Sequence, residues 1–110
     1  MKKISENLEK IFNLHKKTAV VIGGGGHLCS AMAEGLAMSG ASLVIVDMRV
    51  EKAKIIADKM KEKYKSNTLY LEADVTDENS LTAALKNILG EFERIDILVN
   101  GAGINSPKPF

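Results

Sequence analysis

The sequence predicts an α/β fold: three layers around a parallel sheet, in the order β-α-β-α-β-α-β with strand order 3-2-1-4. Two observations predict it. Four short apolar runs, at residues 18–22, 42–46, 68–73 and 95–99, are separated by three longer stretches whose apolar residues recur at helical spacing. Strands and helices that alternate in this way imply right-handed crossovers, and hence a parallel sheet with helices on both faces. The second observation is a run of four glycines, Gly23 to Gly26, wedged between the first strand and the first helix.

Each element has its own justification. Residues 1–16 are polar, with apolar positions at Ile4, Leu8, Ile11 and Phe12. That spacing predicts a short amphipathic helix on the rim of the domain, with a frayed leader as the alternative. The domain proper is then residues 17–110. The run "TAVVI" is apolar and mostly β-branched rather than alternating, as in a strand buried on both faces. A helix over 28–39 follows, with Leu28, Ala31, Met32, Gly35 and Leu36 as its apolar positions and Gly40 as its stop. "SLVIV" is a second buried strand, closed by Asp47. Residues 50–64 form a charged helix with Ala53, Ile56, Ala57, Met60 and Tyr64 on one face. "TLYLEA" is a third strand ending at Asp74. Thr76 is placed to cap the third helix, whose apolar face is Leu81, Ala84, Leu85, Ile88 and Phe92. Residues 95–99 are the fourth strand, and "NGAG" follows it.

Composition narrows the function classes. Fifteen basic residues against fourteen acidic ones leave a net charge of +1, with no field to recruit nucleic acid or an anionic membrane. No apolar run approaches the roughly 20 residues of a membrane helix. A single cysteine, Cys29, excludes an internal disulfide and a cysteine-based metal cluster, so no metal site is expected. A cytoplasmic protein is the expectation.

The glycine run is the chemically informative segment. A strand that passes directly into a helix leaves unpaired N–H groups at the helix start, and these, with the helix dipole, attract a pyrophosphate. Glycines there permit the tight turn and the close approach of backbone to phosphate. Read as GxGxxG, the register is Gly24, Gly26, Cys29, with cysteine as the small last residue. Asp47 lies 24 residues beyond Gly23, at the end of the second strand. A carboxylate there accepts hydrogen bonds from the adenosine ribose and repels a 2′-phosphate, which favours NAD over NADP. His27 is read as an exposed bystander, with donation to a phosphate oxygen as the alternative. Cys29 is read as a small buried apolar residue rather than a reactive thiol.

Taken together, "VVIGGGGHLCSAMAEGLAMSGA" (20–41), Asp47, "DVTD" (74–77) and "ERIDILVNGAG" (93–103) resemble the short-chain dehydrogenase/reductase family. The resemblance covers residues 14–110 and only the N-terminal part of that family's Rossmann-type domain, so a truncated domain is expected. Gly23 matches the first glycine of the family's TGxxxGxG loop, with Ile22 in place of threonine and His27 and Cys29 in place of the other two glycines. Asp74, with Val75 beside it, matches the aspartate that contacts the adenine. Asn100, Ala102 and Gly103 match NNAG, with Gly101 in place of the second asparagine. The "GGGGHLCSAMA" and "NGAGINSPKP" variants are similar to a sugar-acid subgroup, of the fructuronate reductase or mannonate oxidoreductase type. The expected cofactor site is therefore Gly23, Gly25, Gly26, His27, Leu28, Asp47, Met48, Asp74, Val75, Asn100, Ala102 and Gly103.

The resemblance implies hydride transfer between a nicotinamide and a carbonyl or alcohol, with a YxxxK tyrosine as general acid/base. Tyr64 is followed four residues on by Thr68, and Tyr70 by Asp74, so neither is a YxxxK tyrosine and no residue is assigned as catalytic. Three readings stand side by side: a fragment of a full oxidoreductase acting on a small-molecule substrate, a stand-alone nucleotide-binding module, and a non-enzymatic interaction piece. The first is favoured. The last strand, "DILVN", carries no charge or proline to blunt an unpaired edge after its opening aspartate, and a homo-oligomer is expected.

Overall fold

The computed structural model describes residues 10–101. They form β1 (Thr18–Ile22), α1 (His27–Met38), β2 (Ser42–Asp47), α2 (Val50–Tyr64), β3 (Thr68–Glu72), α3 (Glu78–Phe92) and β4 (Ile97–Asn100). All pairings are parallel, and the strand order is β3-β2-β1-β4. The chain builds from β1 outward through β2 to β3, then returns to place β4 on the other side of β1. The switch point thus falls between β1 and β4. Ligands of open α/β sheets bind beyond the carboxyl ends of the strands at such a point.

The core has two halves. On one face, α1 and α2 pack on Ala19, Val21, Leu43 and Ile45; on the other, Ala84 and Ile88 of α3 pack on Val20, Val44 and Val46. β1 and β2 are sealed on both sides, which is why their sequences are apolar throughout.

Several expectations are corrected by the packing. The face that α1 turns to the sheet is Cys29, Ala33 and Ala37, with Leu36 beside them, while Leu28 and Met32 are 72% and 44% exposed. α1 lies close to the sheet behind a tight turn, and small residues permit that approach where leucine and methionine would hold it off. In α3, Ala84, Ile88 and Phe92 pack as predicted, whereas Leu85 is exposed. The cap of α3 is Asp77 rather than Thr76: its carboxylate accepts from the N–H groups of Asn79 and Ser80. β4 begins two residues later than predicted and runs to Asn100. Residues 10–12 are helical, but Ile11 and Phe12 are exposed instead of packed on a rim. Leu14 makes that connection, packing against the core and donating its N–H to the Ser39 carbonyl at 2.7 Å. Ile4 and Leu8 lie outside the described residues. No helix among the described residues is long and apolar enough to cross a membrane.

Candidate functional site

β1 ends at Ile22, and the chain must turn sharply to enter α1. Gly23 makes the turn with φ of +78°, a conformation that costs other residues a Cβ clash. The Gly26 N–H closes the turn on the Gly23 carbonyl at 3.0 Å. α1 then starts with no side-chain cap and no acidic residue in its first turn. α3 differs, since Asp77 satisfies its first N–H groups. The start of α1 therefore keeps donors and the positive end of its dipole for an external anion.

Asp47, at the end of β2, is the second component. It is 8% exposed, yet it lines the cleft. Its Oδ2 accepts from the Gly25 N–H at 3.0 Å and its Oδ1 from the Arg49 N–H at 2.9 Å. The Arg49 Nε stands 3.9 Å from Oδ1, with the guanidinium side chain 60% exposed. A carboxylate has about four lone-pair positions, so acceptor capacity remains for hydroxyls in the cleft. Gly25 is seated tightly here. A Cβ on it would stand 2.6 Å from the Lys52 Cβ and 2.8 Å from Asp47 Oδ2. The glycine loop is thus laid directly on the carboxylate.

The third component is the turn after β3. Asp74 Oδ1 accepts from the Thr76 hydroxyl at 2.6 Å and the Thr76 N–H at 2.9 Å, and these bonds hold its carboxyl below the usual carboxylate range. The Asp74 N–H donates to the Ser80 hydroxyl at 3.0 Å, which ties the turn to α3.

These components enclose a cleft of about 500 Å³ at the carboxyl end of the sheet. Of the residues expected to bind a cofactor, Gly23, Gly26, Asp47, Met48, Asp74 and Val75 line it. Gly25 stands behind Asp47, and its N–H is already engaged. His27 and Leu28 open α1 with exposed side chains and are not part of the lining. Asn100 ends β4 in register with Ile22, is exposed, and is also not part of the lining. Ala102 and Gly103 lie outside the described residues. Ile22, Arg49, Ala73, Thr76 and Gly101 also line the cleft and were not among the residues expected from the sequence. Thr76 was legible in principle, because a threonine two residues after an aspartate favours a closed side-chain turn.

A glycine turn into an uncapped helix, at the switch point of a doubly wound sheet and with a carboxylate closing the next strand, defines a Rossmann-type domain. Within that class the chain belongs to the short-chain dehydrogenases, whose family profile, described as short chain dehydrogenase, matches residues 17–110. The oxidoreductase UxuB of Bacillus subtilis, itself uncharacterized, is 42% identical over 95 residues, which is 86% of this chain and 34% of that protein. The NAD(+)-dependent 15-hydroxyprostaglandin dehydrogenase of Mus musculus is 35% identical over 99 residues, covering 87% of this chain and 36% of the enzyme. Among solved structures, a protein of Haemophilus influenza assigned as a D-mannonate oxidoreductase, with NAD bound, superposes with a TM-score of 0.82. Its identity is 30%, over 92% of this chain and 36% of that one. L-sorbose reductase from Gluconobacter frateurii, in complex with NADPH and L-sorbose, superposes with a TM-score of 0.84 at 32% identity, over 89% and 37% of the two chains. The chain spans about a third of the length of these relatives.

Proposed function

We propose that this chain supplies the adenosine and pyrophosphate part of an NAD site in an oxidoreductase that interconverts a small alcohol and its carbonyl compound. Asp47 carries the reading. It is a buried carboxylate at the end of β2, bonded to the glycine loop and still open to the cleft. In this reading the N–H groups at the start of α1 receive the pyrophosphate, and Gly23 and Gly26 let the backbone come close. Asp47 accepts from the ribose hydroxyls, and Asp74 and Val75 border the adenine. His27 and Leu28 contribute backbone N–H groups, while Asn100, Ala102 and Gly103 belong to the nicotinamide side. When bound, the dinucleotide supplies or accepts the hydride. A sugar acid is the favoured substrate class, supported by the likeness to the D-mannonate oxidoreductase structure.

NAD is favoured over NADP on electrostatic grounds. Two like charges about 4 Å apart repel by about 4 kcal/mol at an effective dielectric of about 20, before salt screening. A 2′-phosphate would meet that repulsion at Asp47. Arg49 offsets it only in part, because its ion pair is long and solvent-exposed. The proposal is tested by competition. ADP should displace NAD from the chain with an affinity within about tenfold of NAD itself, whereas nicotinamide mononucleotide should not displace it. Displacement by nicotinamide mononucleotide alone would place the binding determinants elsewhere.

A further inference from the structure

We propose that Cys29 is a positioning residue for the dinucleotide site, paired by size with Gly101: the thiol fills the space that a side chain at 101 would need. The functional half of this proposal rests on the NAD reading above; the pairing rests on packing alone. Cys29 is the third residue of α1, is 7% exposed, and belongs to the core beneath the glycine turn. Gly101 follows β4 directly and lines the cleft. Its N–H donates to the Ile22 carbonyl at 2.9 Å and so ties the end of β4 to the end of β1 at the switch point.

A Cβ added to Gly101 would overlap the Cys29 Sγ. It would also stand 3.1 Å from the Ile22 carbonyl oxygen, and 3.6 Å from the Cys29 Cβ, which is an ordinary contact. The sulfur is therefore the principal obstacle. Backbone conformation is not the reason for glycine here, because the glycines with positive φ among the described residues are Gly23 and Gly40. What position 101 lacks is room. A side chain there must turn the Cys29 sulfur into the packed core around it, lift the 101 peptide away from Ile22, or push the first turn of α1 off the sheet. The last two movements change the distance between the walls of the cleft and re-aim the N–H groups that start α1. Cys29 thus fixes the spacing between the helix start and the end of β4, through its volume and not through thiol chemistry.

The test compares the full chain with Cys29→Ala, Gly101→Ala and the double variant. Two quantities are read: the thermal midpoint, and NAD affinity by titration at a temperature where all folded variants are intact. Gly101→Ala should lower the midpoint by about 5 °C or more and weaken NAD binding at least about tenfold. In the Cys29→Ala background the same change should cost less than half as much in both readouts. Equal losses in the two backgrounds would overturn the pairing. A midpoint that falls while NAD affinity holds would overturn the positioning role. If Gly101→Ala alone does not fold, a folded double variant that binds NAD like Cys29→Ala supports the proposal, and a double variant that also fails to fold overturns it. Failure of the unaltered chain to bind NAD would defeat the NAD reading and the positioning role together, while the midpoints would still decide the pairing.

Discussion

At Asp47 two backbone N–H groups, from Gly25 and Arg49, converge on one carboxylate. One comes from the glycine loop and the other from the chain entering α2, so the residue that faces the ribose in the proposed complex also holds the loop. Removing it should therefore act twice. Asp47→Ala should weaken NAD binding through the lost ribose contacts and the loosened loop. It should weaken NADP binding less, because the repulsion of the 2′-phosphate disappears with the carboxylate. The ratio of the two affinities, measured by titration, should narrow toward one. Adding Met48→Arg to that variant should reverse it, since residue 48 lines the same cleft with an exposed side chain and would carry a cation to the phosphate. An unchanged ratio in Asp47→Ala would remove Asp47 from the assignment. Its position and sign were legible in the sequence. Its second bond, to Gly25, was not, because that contact depends on how far the loop folds back over β2.

At the scale of elements, order and type were legible because alternating apolar runs and amphipathic stretches are local signals. The orientation of α1 was not. Spacing identified Leu28 and Met32 as its apolar positions, yet the helix turns Cys29, Ala33 and Ala37 inward. Close helix–sheet packing behind a tight turn selects by size, and a pattern read by hydropathy alone ranks leucine above alanine. Capping failed at Thr76 for a similar reason: Asp74 had already taken that hydroxyl, leaving Asp77 to cap α3. The junction of β4 with β1 carries a pH-dependent prediction. Asp96 accepts from the Thr18 N–H at 2.9 Å and returns its own N–H to the Thr18 carbonyl. The Thr18 bond, with help from Arg94 and Lys17, holds the Asp96 carboxyl below its usual value. A carboxyl depressed in the folded state contributes stability in full above the unfolded value, about 3.9. That contribution is lost as pH falls through the lower folded value. Thermal midpoints measured down the acid range should therefore fall less steeply in Asp96→Asn than in the unaltered chain. Parallel curves would show that ionisation of Asp96 contributes no net stability.

At the scale of the molecule, β4 pairs with β1 alone and has no strand neighbour on its outer side among the described residues. Leu98, on that strand, is 60% exposed, and Leu85 and Leu89 of α3 are 45% and 41% exposed. A free strand edge beside exposed apolar side chains favours pairing with another chain. The 110-residue chain should sediment as a dimer or larger at tens of micromolar, a concentration at which weak association registers; a clean monomer there would contradict this. In the proposed function, the cleft at the switch point selects an adenine dinucleotide by the charge at its ribose end. The most direct test is to titrate the unaltered chain with NAD and with NADP under identical salt. NAD should bind more tightly by at least about tenfold, or ~1.4 kcal/mol. Equal affinities, or a preference for NADP, would contradict it.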